Sequence, residues 1–260
     1  QRKKLNDNIS WWPLYLYHFT NILNAVSIIE KEYIFGRSSA INKSLMASDN
    51  ASSNIIEITN ESVAKYARFY MRPKTPTQYH NEGYKPKHIR DSNLNANCPV
   101  PIFFILDAEK TLSMNNVYFV EKGLAGNSYG KESFLSGVDN FAKLDFDKIF
   151  HNGPYAHGSD IKKYRHTEVI REEGIPISEV IKGIACRSAA ERQTLLYLLK
   201  RRSEGKYNKY KNIISYKPDI DLFYNNGIFI KSVRYEQDIF HFELNDNTRR
   251  YKKERSNGED

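Results

Sequence analysis

The chain has 260 residues, of which 40% are hydrophobic and 13% aromatic, and its formal charge is +8. That is enough apolar material for one large globular domain or two small ones. No apolar run approaches the ~18 residues of a membrane span, and Cys98 and Cys186 are too few and too far apart for a metal-ligand spacing.

Two cysteines, at most one bridge between them, point to a reducing, cytoplasmic compartment. The opening QRKKLNDNIS carries charge with no apolar stretch after it, so no secretion signal is expected there. A basic chain with 18 Tyr and 14 Phe suits a polyanionic partner, although ordinary solubility charge explains the net charge equally well.

Taken along the chain, Leu14 to His18 alternates as a strand, with Leu14, Leu16 and His18 on one face. Thr20 or Asn21 then caps a helix on which Ile22, Val26 and Ile29 recur, with Gly36 past its end. Residues 38 to 60 read as a long polar loop. In Tyr66 to His80, YARFYMRPKTPTQYH, the residues Ala67, Phe69 and Met71 alternate with Arg68, Tyr70 and Arg72, which predicts a strand ended by Pro73 and Pro76. Residues 80 to 98 are polar and irregular. Val100 to Leu106 and Val117 to Val120 read as strands, and 123 to 137, with four glycines, as a flexible loop. Residues 139 to 150 suggest a helix or a pair of turns, and 151 to 158 a second loop. Further strands are expected at Glu168 to Ile170, Ile181 to Arg187, Asn212 to Tyr216 and Ile228 to Val233, with a helix over Ala189 to Arg202 whose apolar stripe is Leu195, Leu196, Leu198 and Leu199. Residues 246 to 260 form a charged tail expected to fray. The sum is an α+β chain without internal repeats.

The common catalytic signatures are missing: there is no GxxxxGK loop, GxGxxG, HExxH, CxxC or GxSxG. Three separate features remain. His18 and Thr20 share one face of a strand end and together can hold a ribose hydroxyl and an amide; in isolation a satisfied histidine and a capping threonine explain them better. The Arg68, Tyr70 and Arg72 face offers a phenol for stacking on a heterocycle and guanidinium groups for phosphate. A solvated strand face accounts for it equally well. Glu168, beside Val169 and Ile170, is costly to bury without a partner. It suits the stabilisation of a cationic transition state or the acceptance of a proton, although taken alone it reads as an edge-strand ion pair with Lys163 or Arg165.

The order of these features resembles that of NAD-dependent ADP-ribosyltransferases. YHFTNILNAVSIIEKEYIFGR is similar to the opening of the DarT family, ARFYMRPKTPTQY to its aromatic strand and proline-rich loop, and RHTEVI to the strand carrying its catalytic glutamate; the resemblance runs from about Tyr17 to Arg187. It implies an ADP-ribosyltransferase-like split, twisted β core with surrounding helices, here a single domain over residues 1 to 245. It implies a toxin that transfers ADP-ribose from NAD, its co-substrate, to thymidine or guanosine in single-stranded DNA without a metal, and a DarG-type macrodomain antitoxin as partner. By the same resemblance Glu168 would be catalytic, and His18, Thr20 and Tyr70 would bind the dinucleotide. The family's phosphate-binding arginine has no counterpart between Ser38 and Lys65, and Arg37, Arg68 or Arg72 would replace it. Thr75, Tyr79, His80, His157 and Arg165 would line the path of the DNA. An acceptor on RNA or protein, or a non-catalytic single-strand-binding role, is the alternative.

Overall fold

The computed structural model describes residues 5–47, 63–85, 98–124 and 134–246. After a 3₁₀ turn at Trp12–Leu14 come β1 (Tyr15–Asn21), α1 (Ile22–Lys31), β2 (Tyr33–Ile34), α2 (Arg37–Asn42), β3 (Tyr66–Tyr70), α3 (Pro76–Asn81), β4 (Pro101–Asp107), α4 (Ala108–Leu112) and β5 (Val117–Val120). There follow α5 (Val138–Ala142), α6 (Phe146–Ile149), α7 (Ile161–Tyr164), β6 (Glu168–Glu172), β7 (Ile175–Pro176) and α8 (Ile177–Val180). The chain continues with β8 (Ile181–Cys186), α9 (Ala189–Arg202), α10 (Glu204–Tyr210), β9 (Ile214–Ser215), β10 (Ile230–Glu236) and β11 (Ile239–Leu244).

Seven strands form one sheet in the order β5-β6-β3-β1-β4-β8-β9, antiparallel except for β8 with β9. Alternation along the strands sends Leu16, Ile102, Phe104 and Leu106 into the main core, where α1 contributes Ala25, Val26 and Ile29 and α9 contributes Leu195 and Leu199. Tyr17, Phe103 and Phe223 make a smaller core on the other face. This is the expected α+β arrangement.

The sheet is parted in the middle. β1 pairs with β4 along its whole length, from Tyr15 opposite Asp107 to Asn21 opposite Pro101. β3 pairs with β6 likewise, from Tyr66 opposite Glu172 to Tyr70 opposite Glu168. Between β1 and β3 the ladder holds a single pair among the described residues, Tyr17 opposite Tyr70. Beyond it the two strands part, and His18 spans the gap with Nδ1 3.1 Å from the Arg68 carbonyl oxygen.

Several boundaries differ from those read in the sequence. β1 continues past His18 to Asn21 because β4 offers it seven partners. Asn21, not Thr20, caps α1, its side-chain oxygen accepting from the Leu23 amide at 3.0 Å. Helix α1 ends at Glu32, in the left-handed region with φ 53°. Gly36 instead begins α2, inside the segment read as loop. Residues 48 to 60 of that segment and the two that follow it, 86 to 97 of the polar stretch, 125 to 133 of the glycine-rich stretch and 247 to 260 of the tail lie outside the described residues. Helix α10 and strand β11 were not expected. β11 returns from β10 through Gln237 and Asp238, both at positive φ, a turn geometry that Asn-Gly would have advertised and these residues do not.

The segment from Thr75 to His80, expected to line the path of the DNA, forms a helical turn. Pro76 starts α3, where its missing N–H costs nothing. Thr75 is buried and caps it, accepting from the Gln78 amide at 3.2 Å, so its hydroxyl is not offered to DNA.

Arg72 does not belong to the cofactor-binding face. β3 ends at Tyr70, so the alternation that would have placed Arg72 beside Arg68 stops short of it. Its side chain is 1% exposed, with the guanidinium 4.8 Å from the Trp12 ring centre. It donates to the carbonyls of Pro73 (2.9 Å), Ile149 (3.1 Å) and His151. Burial, with Arg165 nearby, pushes its pKa down to about 9.

Two stability predictions follow from these contacts. Arg72→Ala strands buried carbonyls and opens a void beside Trp12, and is expected to cost about 2–4 kcal/mol in urea unfolding. At Gly36 an added Cβ would stand 2.1 Å from the Lys65 carbonyl oxygen. Gly36→Ala is expected to push α2 off β3, lowering stability by about 1–3 kcal/mol in the same assay.

Candidate active site

The parted strands expose one wall each. His18 and Thr20 project from β1, Arg68 from β3, and Asn24 and Ile28 from the near face of α1; with Arg37 of α2 they surround a cavity of about 200 Å³. Asn24 ties two walls together. Its side-chain nitrogen donates to the Thr20 hydroxyl (3.4 Å), and its oxygen accepts from the Ala47 amide (2.8 Å). Leu45 and Met46, just before Ala47, complete the lining. Burial pushes the His18 imidazole below its ordinary pKa of 6.5, and the Arg68 carbonyl at Nδ1 opposes that only in part. His18 is therefore a neutral imidazole near pH 7.

Glu168 opens β6 opposite Tyr70, 1% exposed. Both its oxygens are clamped by Arg68: Nε to Oε2 at 2.8 Å and Nη2 to Oε1 at 2.7 Å. Neither Lys163 nor Arg165 forms this pair, because β6 lies between β5 and β3 and is not an edge strand. Burial opposes the charge on Arg68, but Glu168 more than offsets it and raises the guanidinium pKa above its ordinary value. The pair holds the carboxylate in one orientation and leaves each oxygen a second lone pair for a ligand. Tyr70 shares the face. Its hydroxyl interacts with Glu168 and Thr77, and burial followed by the Glu168 charge pushes its pKa up to about 12. Tyr66, on the same face of β3, lies at the far end against Phe134 and Tyr118, so Tyr70 is the ring beside the carboxylate.

The chain just before Glu168 is pinned. The Thr167 hydroxyl contacts the Tyr164 carbonyl (2.7 Å) and that of Glu121. Gly123 lets His166 pass close by, since a Cβ there would stand 2.8 Å from the His166 Cβ. Burial, then Lys162, Arg68 and His80, push the His166 pKa down to about 4.

The structure thus brings His18, Thr20 and Arg37 to one cavity, with Arg68 joining it to Tyr70 and Glu168. The expected DNA-facing residues are spread more widely. Tyr79 is 52% exposed on α3, edge-on to His80 and to Tyr224. Arg165 donates to His151 Nδ1 (2.9 Å) and the Gly153 carbonyl (2.7 Å), and lies 4.7 Å from the Tyr155 ring centre. Its Nε is buried without a partner among the described residues. His157 is exposed in the following loop. Sequence reasoning missed Asn24 and the partnership of Arg68 with Glu168. The first had a signal, one helical turn after Thr20; the second needed the β3–β6 register. No cluster able to hold a metal ion exists among the described residues.

Comparison with solved structures places the fold. DarT of Thermus sp. 2.9 in complex with NAD+ matches at 15% identity and a TM-score of 0.58, covering 82% of this chain and 98% of that one. The same protein with ADP-ribosylated ssDNA matches at 16% identity and 0.60, covering 82% and 97%. DarTG of Thermosipho africanus in complex with ADP-ribose matches at 15% and 0.54, covering 88% of this chain and 55% of that one. No curated protein of similar sequence is found. The family model described as "ssDNA thymidine ADP-ribosyltransferase, DarT" matches residues 17–224, which span both walls of the cleft, the Arg68–Glu168 pair and Tyr224. The chain belongs to the DarT family of ssDNA ADP-ribosyltransferases.

Proposed function

We propose that this protein transfers ADP-ribose from NAD to thymidine in single-stranded DNA, with Glu168 as its catalytic residue. The observation that carries the reading is the placement of Glu168: a buried carboxylate clamped by Arg68, which itself lines the cavity that holds His18, Thr20 and Arg37. Thermus DarT, of the same fold, is known with NAD+ and with ADP-ribosylated ssDNA, which supports both substrates.

His18 and Thr20 supply ring nitrogen and hydroxyl groups for the nicotinamide amide and its ribose. Arg37 supplies charge for the pyrophosphate, the role the sequence left open among three arginines. The cavity is smaller than the ~300–1,000 Å³ usual for ligand pockets, so it receives one end of the dinucleotide. Nicotinamide leaves as a neutral molecule, and the positive charge then resides on the ribose, where a fixed carboxylate stabilises it most. Tyr70 lies opposite that carboxylate across the ladder and would offer its ring to the departing heterocycle. Thymidine has one ring N–H, at N3, so base attack requires a proton acceptor there, and Glu168 has lone pairs to spare. An unpaired base reaches such a site without the cost of leaving a duplex stack. Tyr79, with His80 beside it, offers the base an exposed ring, and Arg165 and His157 would contact the strand farther out. The partner we expect is a DarG-type macrodomain antitoxin, a pairing supported by the DarTG match. The compartment we expect is the cytoplasm, where single-stranded DNA arises; no helix among the described residues is long and apolar enough to cross a membrane.

Incubation with labelled NAD and single-stranded oligonucleotides of each base tests the reading. Label is expected on thymidine-containing DNA, and Glu168→Ala is expected to reduce transfer by ~10³-fold or more while the fold and DNA binding persist. Label on RNA or protein alone would overturn the acceptor, and an active Glu168→Ala would overturn the role. Stability should also depend on pH. Burial lowers the imidazole pKa of His18, His151 and His166, so the unfolded chain binds their protons first as the pH falls below ~6.5. The urea midpoint is expected to hold above pH 7 and to fall steadily from pH ~6.5 towards 4, reached last by His166.

A further inference from the structure

The hairpin of β10 and β11 lies outside residues 17–224, which the family model matches, and none of its residues lines the cleft. Its ladder sorts the side chains onto two faces. Val233 lies opposite Phe242, Tyr235 opposite Phe240 and Ile230 opposite Leu244, so these six share one face. Ser232, Arg234, Glu236, His241 and Glu243 occupy the other, with Ile239 as its one apolar member. A two-stranded hairpin needs something packed on its apolar face to be stable, yet Tyr235 is 59%, Phe240 62% and Phe242 59% exposed. At the base of that face, Val233 and Leu244 line an apolar cavity of about 570 Å³ together with Ala190 and Thr194 of α9. Strand β11 has β10 as its one strand partner among the described residues. Alternate residues of an antiparallel strand turn N–H and C=O away from the partner, so the far side of β11 is an open edge.

We propose that β11 pairs antiparallel with β11 of a second copy of this chain, joining two hairpins into a four-stranded sheet about a two-fold axis. The strand sequence IFHFEL, Ile239 to Leu244, is self-complementary in one register. With Phe242 opposite Phe242 on the axis, Phe240 falls opposite the second copy's Leu244, and His241 opposite its Glu243. The apolar side chains of both copies then share one face, and on the other each imidazole meets a carboxylate. A slip of one residue turns the second copy's apolar face to the opposite side of the sheet. A slip of two in one direction sets the two Glu243 carboxylates against each other, and in the other direction sets His241 against His241. The favoured register also brings the second copy's Phe240 beside Leu244, at the wall of the α9 cavity. The area is sufficient. Tyr235, Phe240 and Phe242 each leave about 90–150 Å² open, roughly 540–900 Å² over two copies. Ile230, Leu244 and the strand edges add to this and bring the total near the lower end of specific interfaces, about 1,200 Å². That suits a reversible dimer.

Sedimentation equilibrium of the full chain from ~1 to ~100 μM tests the pairing. Wild type is expected to pass from monomer towards dimer over that range, and Phe242→Lys and Phe242→Thr to raise the dissociation constant about tenfold or more. Phe242→Thr keeps a strand-forming residue, so a circular dichroism spectrum that matches wild type separates loss of pairing from loss of the hairpin. Oxidation reads the register. A mixture of His241→Cys and Glu243→Cys chains is expected to form a disulfide-linked dimer. Neither variant alone is expected to do so, because equivalent residues then lie diagonally, about 7–8 Å apart. Cys98 and Cys186 are buried and do not compete. A wild type that stays monomeric up to ~100 μM, a dimer that neither Phe242 variant weakens, or single variants that crosslink as readily as the mixture would each overturn the proposal. No readout uses NAD or DNA, so the result is independent of the role given to Glu168.

Discussion

The organising constraint is the ion pair between Arg68 and Glu168. A carboxylate buried to 1% exposure is unfavourable unless a cation and hydrogen bonds accompany it, and Arg68 supplies both through two parallel contacts. The pair fixes more than a charge. Arg68 lies opposite Ile170, two residues along the ladder from Glu168, so the contact is a diagonal one that exists in a single register. A slip of one residue would turn Glu168 towards the apolar layer of Phe69 and Val169 and would turn Arg68 away from the cleft. The pinning of Thr167 and the close passage of His166 past Gly123 set where β6 begins, and so defend that register from one end.

The split in the sheet then becomes intelligible. β1 is committed to β4 and β3 to β6, each along its full length, and the two halves touch at Tyr17 and Tyr70. Where strands part, backbone groups lose ladder partners, and buried groups need replacements. His18 provides one by approaching the Arg68 carbonyl, and Asn24 braces the same gap by holding the Thr20 hydroxyl and the Ala47 amide. The groups that keep the gap from closing are thus the same ones that line it. This links stability to the cavity: the neutral, half-buried His18 imidazole is both a strut and part of the cavity wall, and its protonation would strain both.

Legibility in the sequence followed range. His18, Thr20 and Glu168 were visible as residue types at strand ends, and the α+β layout followed from alternation and helical spacing. The three motifs in order carried the resemblance to DarT. What escaped depended on which strands were neighbours. Glu168 read as an edge residue paired with Arg165 or Lys163 because nothing local shows that β3 covers it. Arg72 read as a continuation of the Arg68 face because periodicity does not announce that a strand stops two residues earlier. Thr75 read as a ligand contact although Thr-Pro is also the start of a helix, and the cap was the better use of the same two residues.

The net charge looks different once its carriers are placed. Arg72 and Arg187 are buried, spent on backbone carbonyls and on Glu191. Lys65, Lys74, Lys206 and Lys209 face Glu172, Asp221 and Glu32. In YARFYMRPKTPTQYH, three of the cations, Arg68, Arg72 and Lys74, are engaged within the protein, so the stretch does not attract DNA by charge as its composition suggested. Its contribution is geometric. Arg68 orients the carboxylate, Tyr70 joins it to α3, and Tyr79 carries an exposed ring to the rim. Attraction of a polyanion at long range belongs to cations left facing solvent, whereas on the proposed reading this segment would act after the strand has arrived, by fixing where one unpaired base meets one buried carboxylate.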